Sequence, residues 1–316
     1  MAQVQALSST ALACVYWKDT DKVDHIRVYF QDSSWTICEA RWDNGAWKAK
    51  AKSCFTAPQT GTPLAALAYP GDGHEIPGAD PEIQVYYRQD GKIKYHRRSE
   101  GVTDTWSYAG EVDTYNLAET SNIGVCEFYD PYIRVYYQDT AGDIRVSTWN
   151  SGSKTWVRST GGANLRISEA DKPARTGTPI GTDTENAHNL SNVVVAWHDK
   201  NKHLAGAIVQ NDSPTAIKFP KDIAVSPSGT VTVAVWDLKH IHIYYDGVND
   251  GIQKLEYVGD KWSDTMDAFT GDITNPYANG QGSLASAAYA PANTGTHTGS
   301  VFYQPVDGNS IVEILI

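Results

Sequence analysis

The chain has 316 residues, with 37 Asp and Glu against 26 Lys and Arg, a formal net charge of −11 and a pI near 5.2. An acidic surface of this kind argues against nucleic acid or an anionic membrane as partner, since both select a basic face. No run of 18 apolar residues is present, so no helical membrane span is encoded. Ten Trp, 18 Tyr and 6 Phe make the chain rich in rings, which either fill strand faces or line a ligand pocket.

One strand pattern recurs from end to end. Its cores are Ile26–Gln31, Ile83–Arg88, Ile133–Gln138, Val193–His198, Ile241–Asp246 and Gly299–Gln304, and the second residue falls at 27, 84, 134, 194, 242 and 300. The period is about 55 residues, in the range of propellers and solenoids. Each copy reads as four short strands. In the first these are Ala11–Trp17, His25–Gln31, Thr36–Trp42 and Ala46–Lys50, with Asp43-Asn44-Gly45 as a hairpin turn. The second runs over Pro63–Tyr69, Glu82–Arg88, Lys92–Arg98 and Thr105–Ala109, with a turn at Asp90-Gly91. The third spans Ser121–Phe128, Tyr132–Gln138, Asp143–Trp149 and Thr155–Arg158. The fourth is clear only in Asn192–His198 and Lys202–Val209. The fifth spans Thr230–Trp236, His240–Tyr245, Gly251–Tyr257 and Lys261–Ser263, and the sixth Ser283–Tyr289, Ser300–Gln304 and Ser310–Ile316. No long stretch of period 3.6 interrupts them.

The expected architecture is all-β: one domain over residues 1–316, a six-bladed β-propeller with four-stranded blades. The sixth copy lacks a fourth strand, and Gln3–Leu7 is expected to supply it and close the ring. The loops that follow the first strands are long, unequal and gathered at one rim, where function is usually carried.

The four cysteines, Cys14, Cys38, Cys54 and Cys126, fit no zinc spacing. Cys38 and Cys54 share a blade, which makes a disulfide between them plausible; Cys14 and Cys126 lie in inner strands, as free thiols. Asn189 and Asn211 head glycosylation triplets if the chain is secreted. Met1–Gln5 lacks a signal peptide's apolar core; it is expected to be the start of a mature secreted form carrying an added Met, the alternative being a cytosolic protein.

The repeat resembles that of the fungal fucose-binding lectins. In that family the motif reads apolar-Arg-apolar-Tyr-aromatic-Gln, then Ile-x-Glu, with a Trp further on. The resemblance implies that the Arg and Glu hold sugar hydroxyls under an aromatic cover. A planar guanidinium beside a carboxylate suits a vicinal diol. Only the first copy matches in full, with Arg27, Glu39 and Trp47. The other pairs read Gln84/Tyr95, Arg134/Val146, Val194/Gly206, His242/Lys254 and Ser300 with Glu313 one residue late. The structural alternative for Arg27 and Glu39 is an inter-blade ion pair.

This erosion is similar to that in a second group on the same scaffold, the secreted fungal hetero-Diels–Alderases of tropolone–sesquiterpene biosynthesis. That resemblance implies coupling of a tropolone quinone methide to a humulene-type terpene, with no cofactor. Its partners would be small molecules only, and a homodimer is a candidate assembly. No metal cluster, phosphate loop or nucleophile elbow argues for other chemistry. A cycloaddition needs two apolar partners held face to face and a donor on the heterodiene oxygen. On this reading the rim supplies walls from Tyr16, Trp17, Tyr69, Tyr129, Trp236 and Tyr289. Donors or acids would be Lys18, His74, His188, His240 and His297. The competing expectation is a lectin whose best site is Arg27 with Glu39.

Overall fold

The computed structural model describes residues 6–19, 21, 23–69, 81–98, 105–128, 132–158, 166–168, 172–184, 192–210, 212–248, 251–263, 266–267, 284–289, 298–304 and 311–315. These residues form six antiparallel sheets. The first holds β1 (Ala13–Lys18), β2 (Asp24–Gln31), β3 (Thr36–Asp43) and β4 (Ala46–Trp47), with β5 (Lys52–Thr56) on the far end of β3. The second holds β6 (Leu64–Tyr69), β7 (Glu82–Gln89), β8 (Lys92–Arg98) and β9 (Trp106–Glu111). The third holds β10 (Ile123–Phe128), β11 (Tyr132–Gln138), β12 (Ile144–Asn150) and β13 (Thr155–Arg158). The fourth holds β14 (Ile180–Thr184), β15 (Asn192–His198), β16 (Leu204–Gln210) and β17 (Ser213–Ala216). The fifth holds β18 (Val231–Asp237), β19 (His240–Asp246), β20 (Ile252–Val258) and β21 (Lys261–Trp262), with β22 (Met266–Asp267) on β20. The sixth holds β23 (Leu284–Tyr289), β24 (Thr298–Tyr303) and β25 (Val312–Leu315).

The recurring core is the second strand of every sheet, and the two hairpins form where Asn-Gly and Asp-Gly stand. Asn44 and Gly45 have φ of 50° and 82°, and Asp90 and Gly91 have 54° and 69°. Two successive left-handed residues make the turn whose twist matches a two-residue hairpin. In the fourth sheet β14 (Ile-Gly-Thr-Asp-Thr) carries no apolar run and β17 contains Pro214, so neither announces itself as a strand.

The chain packs as two compact units, Met1–Val112 with Ser283–Ile316, and Asp113–Gly282. In the first unit, one face of the first sheet buries Val15, Tyr29 and Ile37 against Leu64, Val85 and Tyr87 of the second. Its other face buries Ile26, Val28 and Phe30 against Ala285 and Phe302 of the sixth. Side chains alternate across a strand, so one strand feeds both interfaces. In the second unit the third sheet packs on the fourth and the fourth on the fifth. The fourth is therefore covered on both sides, and every residue of β15 is buried. The inner strands pack so closely that a Cβ on Gly181 would lie 3.0 Å from Thr232 Cα, and one on Gly124 2.5 Å from Thr182 Cγ2.

A hydroxyl ties the entering segment to its own sheet, and an amide joins one sheet to the next. Thr10, Thr62, Ser121 and Thr178 accept the backbone N–H of Gln31, Arg88, Gln138 and His198 at 2.8–2.9 Å. Gln31 donates to Ala57 O (2.9 Å) and accepts from Gly61 N (3.0 Å). Gln138 donates to Arg175 O (2.8 Å) and accepts from Gly177 N (2.8 Å). Gln304 donates to Leu7 O (2.9 Å) and accepts from Thr10 N (3.0 Å). The terminal Gln of the motif is thus a clamp on the segment that enters the next sheet.

The expected closure by Gln3–Leu7 is not confirmed: Gln3–Gln5 lie outside the described residues, and Ala6 and Leu7 are engaged at the end of the first sheet. The described N-terminal residues do not pair with β25. Ala6 bridges Asp32, and Leu7 N donates to Gln31 O at 2.8 Å, beside the end of β2. Ala174 bridges Asp199 in the same way ahead of the fourth sheet, so Ala6–Thr10 is the ordinary entering segment. The expected Cys38–Cys54 disulfide is also absent, and all four cysteines are free. Cys38 is the register partner of Ser53, so its neighbour Cys54 points to the opposite face. Cys38 packs toward the sixth sheet and Cys54 toward the second. Burial pushes the Cys38 thiol up to about 12, which keeps it an inert thiol.

Candidate functional site

The sugar-motif positions face the gaps between sheets, and within the two units four of these gaps are described. Between the first and second sheets, Glu39 is fully buried. Its carboxylate accepts from Arg98 Nη1 (3.1 and 3.2 Å), Tyr29 OH (2.6 Å) and Arg41 Nε. Arg27 is not its partner. Arg27 reaches Asp43 at 2.7 Å and the carbonyls of Ile26 and Trp42, with its guanidinium 4.7 Å from the Trp17 ring. The expected ion pair between Arg27 and Glu39 is thus replaced by two separate ones, and both residues are spent on protein partners.

Between the third and fourth sheets, Arg134 pairs with Asp212 of the next sheet and lies 3.2 Å under the Phe128 ring. Arg134 is only 1% exposed, so this gap is closed as well. Between the fourth and fifth, the motif residues are Val194 and Gly206. A Cβ on Gly206 would lie 3.0 Å from Ile217 Cδ1, and Phe219 stacks edge-on to Trp262 at 5.1 Å. An apolar plug fills the space.

The gap between the sixth and first sheets differs. Ser300 Oγ donates to Glu313 Oε1 at 2.9 Å, and Trp47 Nε1 donates to Glu313 Oε2 at 2.7 Å. Trp47 therefore serves Glu313 and not the Arg27/Glu39 position. Its ring meets Phe302 edge-on at 5.8 Å and, like the Glu313 carboxylate, is partly exposed. β4 places Trp47 because the Asn44-Gly45 turn folds it back beside Trp42.

The rim residues fall into separate groups. Tyr16 OH donates to Asp24 at 2.7 Å, and Lys18 pairs with the same carboxylate at 3.2 Å. On the opposite face of β1, Trp17 stacks on His25 at 4.9 Å. His25 lies between Asp43 (2.7 Å) and Asp19 (3.1 Å). Burial lowers its pKa, but the two carboxylates outweigh this and raise it overall. In the other unit, Trp236 packs edge-on to His242 at 4.6 Å, and His240 contacts Asp237 at 2.9 Å. His242 Nε2 meets Glu256 at 2.9 Å, and Lys254 meets the same oxygen at 2.8 Å. Tyr69 and Tyr289 end β6 and β23, with side chains outside the described set. His74, Tyr129, His188, His297 and the acceptors Asn189 and Asn211 lie outside the described residues.

Two groups escaped the sequence reading. Asp183 on β14 accepts Val235 N and Thr184 N, each at 2.8 Å, and burial pushes its carboxyl up to about 7. His25 was legible only as a residue beside the motif. Among the described residues no group of three or more metal ligands forms.

No family model matches the chain. It is 27% identical over 179 residues to a fucose-specific lectin of Aspergillus oryzae, which covers 56% of this chain and 50% of that one. It is 26% identical over 156 residues to a fucose-specific lectin of Arthroderma benhamiae, covering 48% and 40%. The chain thus spans half or less of the length of these curated relatives. Among solved structures, AofleA from Arthrobotrys oligospora superposes with a TM-score of 0.77 at 20% identity, over 99% of this chain and 84% of that one. A lectin from Aleuria aurantia, described as a six-bladed β-propeller with a novel mode of fucose recognition, superposes with a TM-score of 0.76 at 18% identity, over 98% and 93%. The six sheets are therefore the blades of a six-bladed β-propeller, on a scaffold like that of the fungal fucose-specific lectins.

Proposed function

We propose that the chain is a saccharide-binding propeller with one working site, between the sixth and first blades. The observation that carries this reading is the Trp47–Glu313–Ser300 constellation. A partly exposed carboxylate beside a partly exposed indole offers an acceptor for ring hydroxyls and a surface for the sugar's C–H face. The first copy, complete in sequence, is consumed by internal ion pairs. L-Fucose, named in the relatives' descriptions, is the first probe, followed by a monosaccharide panel, with Trp fluorescence and NMR shifts as readouts. Saccharide binding that is lost in Trp47→Ala and kept in Arg27→Ala is the expected result. Binding that depends on Arg27 instead, or none across the panel, would reject the reading.

A second reading, the cycloaddition, is favoured by the rim end of β1. There the indole of Trp17 lies beside the protonatable His25, and Lys18 and Tyr16 share Asp24 on the other face of the strand. A coupling assay with a hydroxymethyl-tropolone precursor and humulenol tests it by chiral chromatography. Faster formation of one stereoisomer over a no-protein control supports it, and an unchanged rate removes it.

A further inference from the structure

The carboxylates at the blade gaps are distinguished by what neutralises them. Glu39 has Arg98 and Arg41, Asp212 has Arg134, and Asp43 has Arg27. On the fifth blade Glu256 has Lys254 and His242. Glu313 alone in this set is held only by neutral donors, the Ser300 hydroxyl and the Trp47 indole N–H. Among the described residues, no Lys, Arg or His lies within ion-pair distance of it. The position where the first copy carries Arg27 is here Ser300, so the pattern's cation is missing and its anion is kept. Burial raises the nearby Cys14 thiol, and Glu313 raises it further.

A partly buried carboxylate with no counter-charge among the described residues favours a ligand that brings one. Fucose brings none, because its hydroxyls are neutral. A 2-amino-2-deoxyhexose brings an ammonium next to a ring that can lie on Trp47. Resting on the saccharide reading above, we propose that the Trp47–Ser300–Glu313 site takes a protonated amino sugar, with the ammonium on Glu313 and the pyranose on the indole. The donors already on Glu313 occupy one lone pair on each oxygen and leave others for an ammonium. The chain's net charge of −11 adds a favourable long-range field for a cation.

The test is a titration of the whole protein at pH 6.5 with D-glucosamine, D-glucose, N-acetyl-D-glucosamine, L-fucose and n-butylammonium, read by NMR and Trp fluorescence. Glucosamine is expected to bind at least about tenfold tighter than glucose, N-acetylglucosamine or fucose, the gain of one charge-assisted bond. That preference should shrink in 0.5 M salt and vanish in Glu313→Gln, whose melting curve confirms the fold. n-Butylammonium should bind far more weakly, because it has no ring for the indole. Equal binding of glucose and glucosamine, or a preference that survives in Glu313→Gln, overturns the proposal while leaving saccharide binding intact. Equal binding of n-butylammonium overturns the saccharide part. If no saccharide binds at all, the parent reading fails and this proposal fails with it.

Discussion

At the scale of single residues, Asp183 is a buried carboxyl pushed up toward neutrality. A carboxyl that titrates near neutrality is a candidate functional group, and here it links β14 to the backbone of β18. Burial is the larger influence and raises its pKa to about 7, against the lowering by Val235 N and Thr184 N. An unfolded Asp titrates near 3.9. The folded protein therefore holds the proton more tightly, and stability falls as pH rises from about 4 to about 7, then levels off. The fall is on the order of a few kcal/mol. Asp183→Asn keeps an acceptor for Val235 N and removes the ionisation. The variant should be more stable than the parent at pH 8, with the gap closing toward pH 4. Urea midpoints of the two proteins across that range are the measurement, and a constant gap would reject the titration.

At the scale of elements, the amide clamps account for how separate sheets keep their order. Gln138→Leu keeps the volume but strips Arg175 O and Gly177 N of their partners. The expected cost is about 2–4 kcal/mol, since buried polar groups lose their bonds. His198 occupies the same place in the fourth blade, with neither ring nitrogen hydrogen-bonded and with burial lowering its pKa to about 3. His198→Leu should therefore cost much less, and denaturant melts of the two variants give the comparison. The motif's Gln was legible from sequence as part of a repeat, but its role was not, because the partner lies on the segment entering the next blade. The second strands and the Asn44-Gly45 turn were legible because alternation and left-handed turn residues are local signals. The hydroxyls of Thr10, Thr62, Ser121 and Thr178, each just before an inner strand, were a readable signal that a search for the Arg/Glu pair passes over. The partners Arg98 for Glu39 and Asp212 for Arg134 were not readable, since each belongs to the neighbouring blade. For the same reason Trp47, which follows Glu39 in sequence, belongs to the site of Glu313, 266 residues away.

At the scale of the molecule, the question is valency. Of the four blade gaps described within the units, two are closed by ion pairs and one by apolar side chains. The two remaining motif positions carry Gln84 with Tyr95 and His242 with Lys254, so neither holds the guanidinium–carboxylate pair. On the second blade, Tyr86 and Glu82 already engage Gln84. On the fifth, Glu256 already engages both His242 and Lys254. A lectin built on equal repeats multiplies weak sites into strong attachment, often by factors of about 10²–10⁴. A chain with one working site has no such gain. It should bind its sugar in solution in the millimolar range, about −4 kcal/mol, and fail to precipitate a neoglycoprotein that displays many copies of that sugar. Turbidity with the multivalent conjugate, beside NMR titration with the free sugar, measures both properties on one sample. Precipitation by the parent protein that Trp47→Ala abolishes would show that the site is doubled by association of chains. Precipitation that survives in Trp47→Ala would show that another gap binds, and the assignment of a single site would fall.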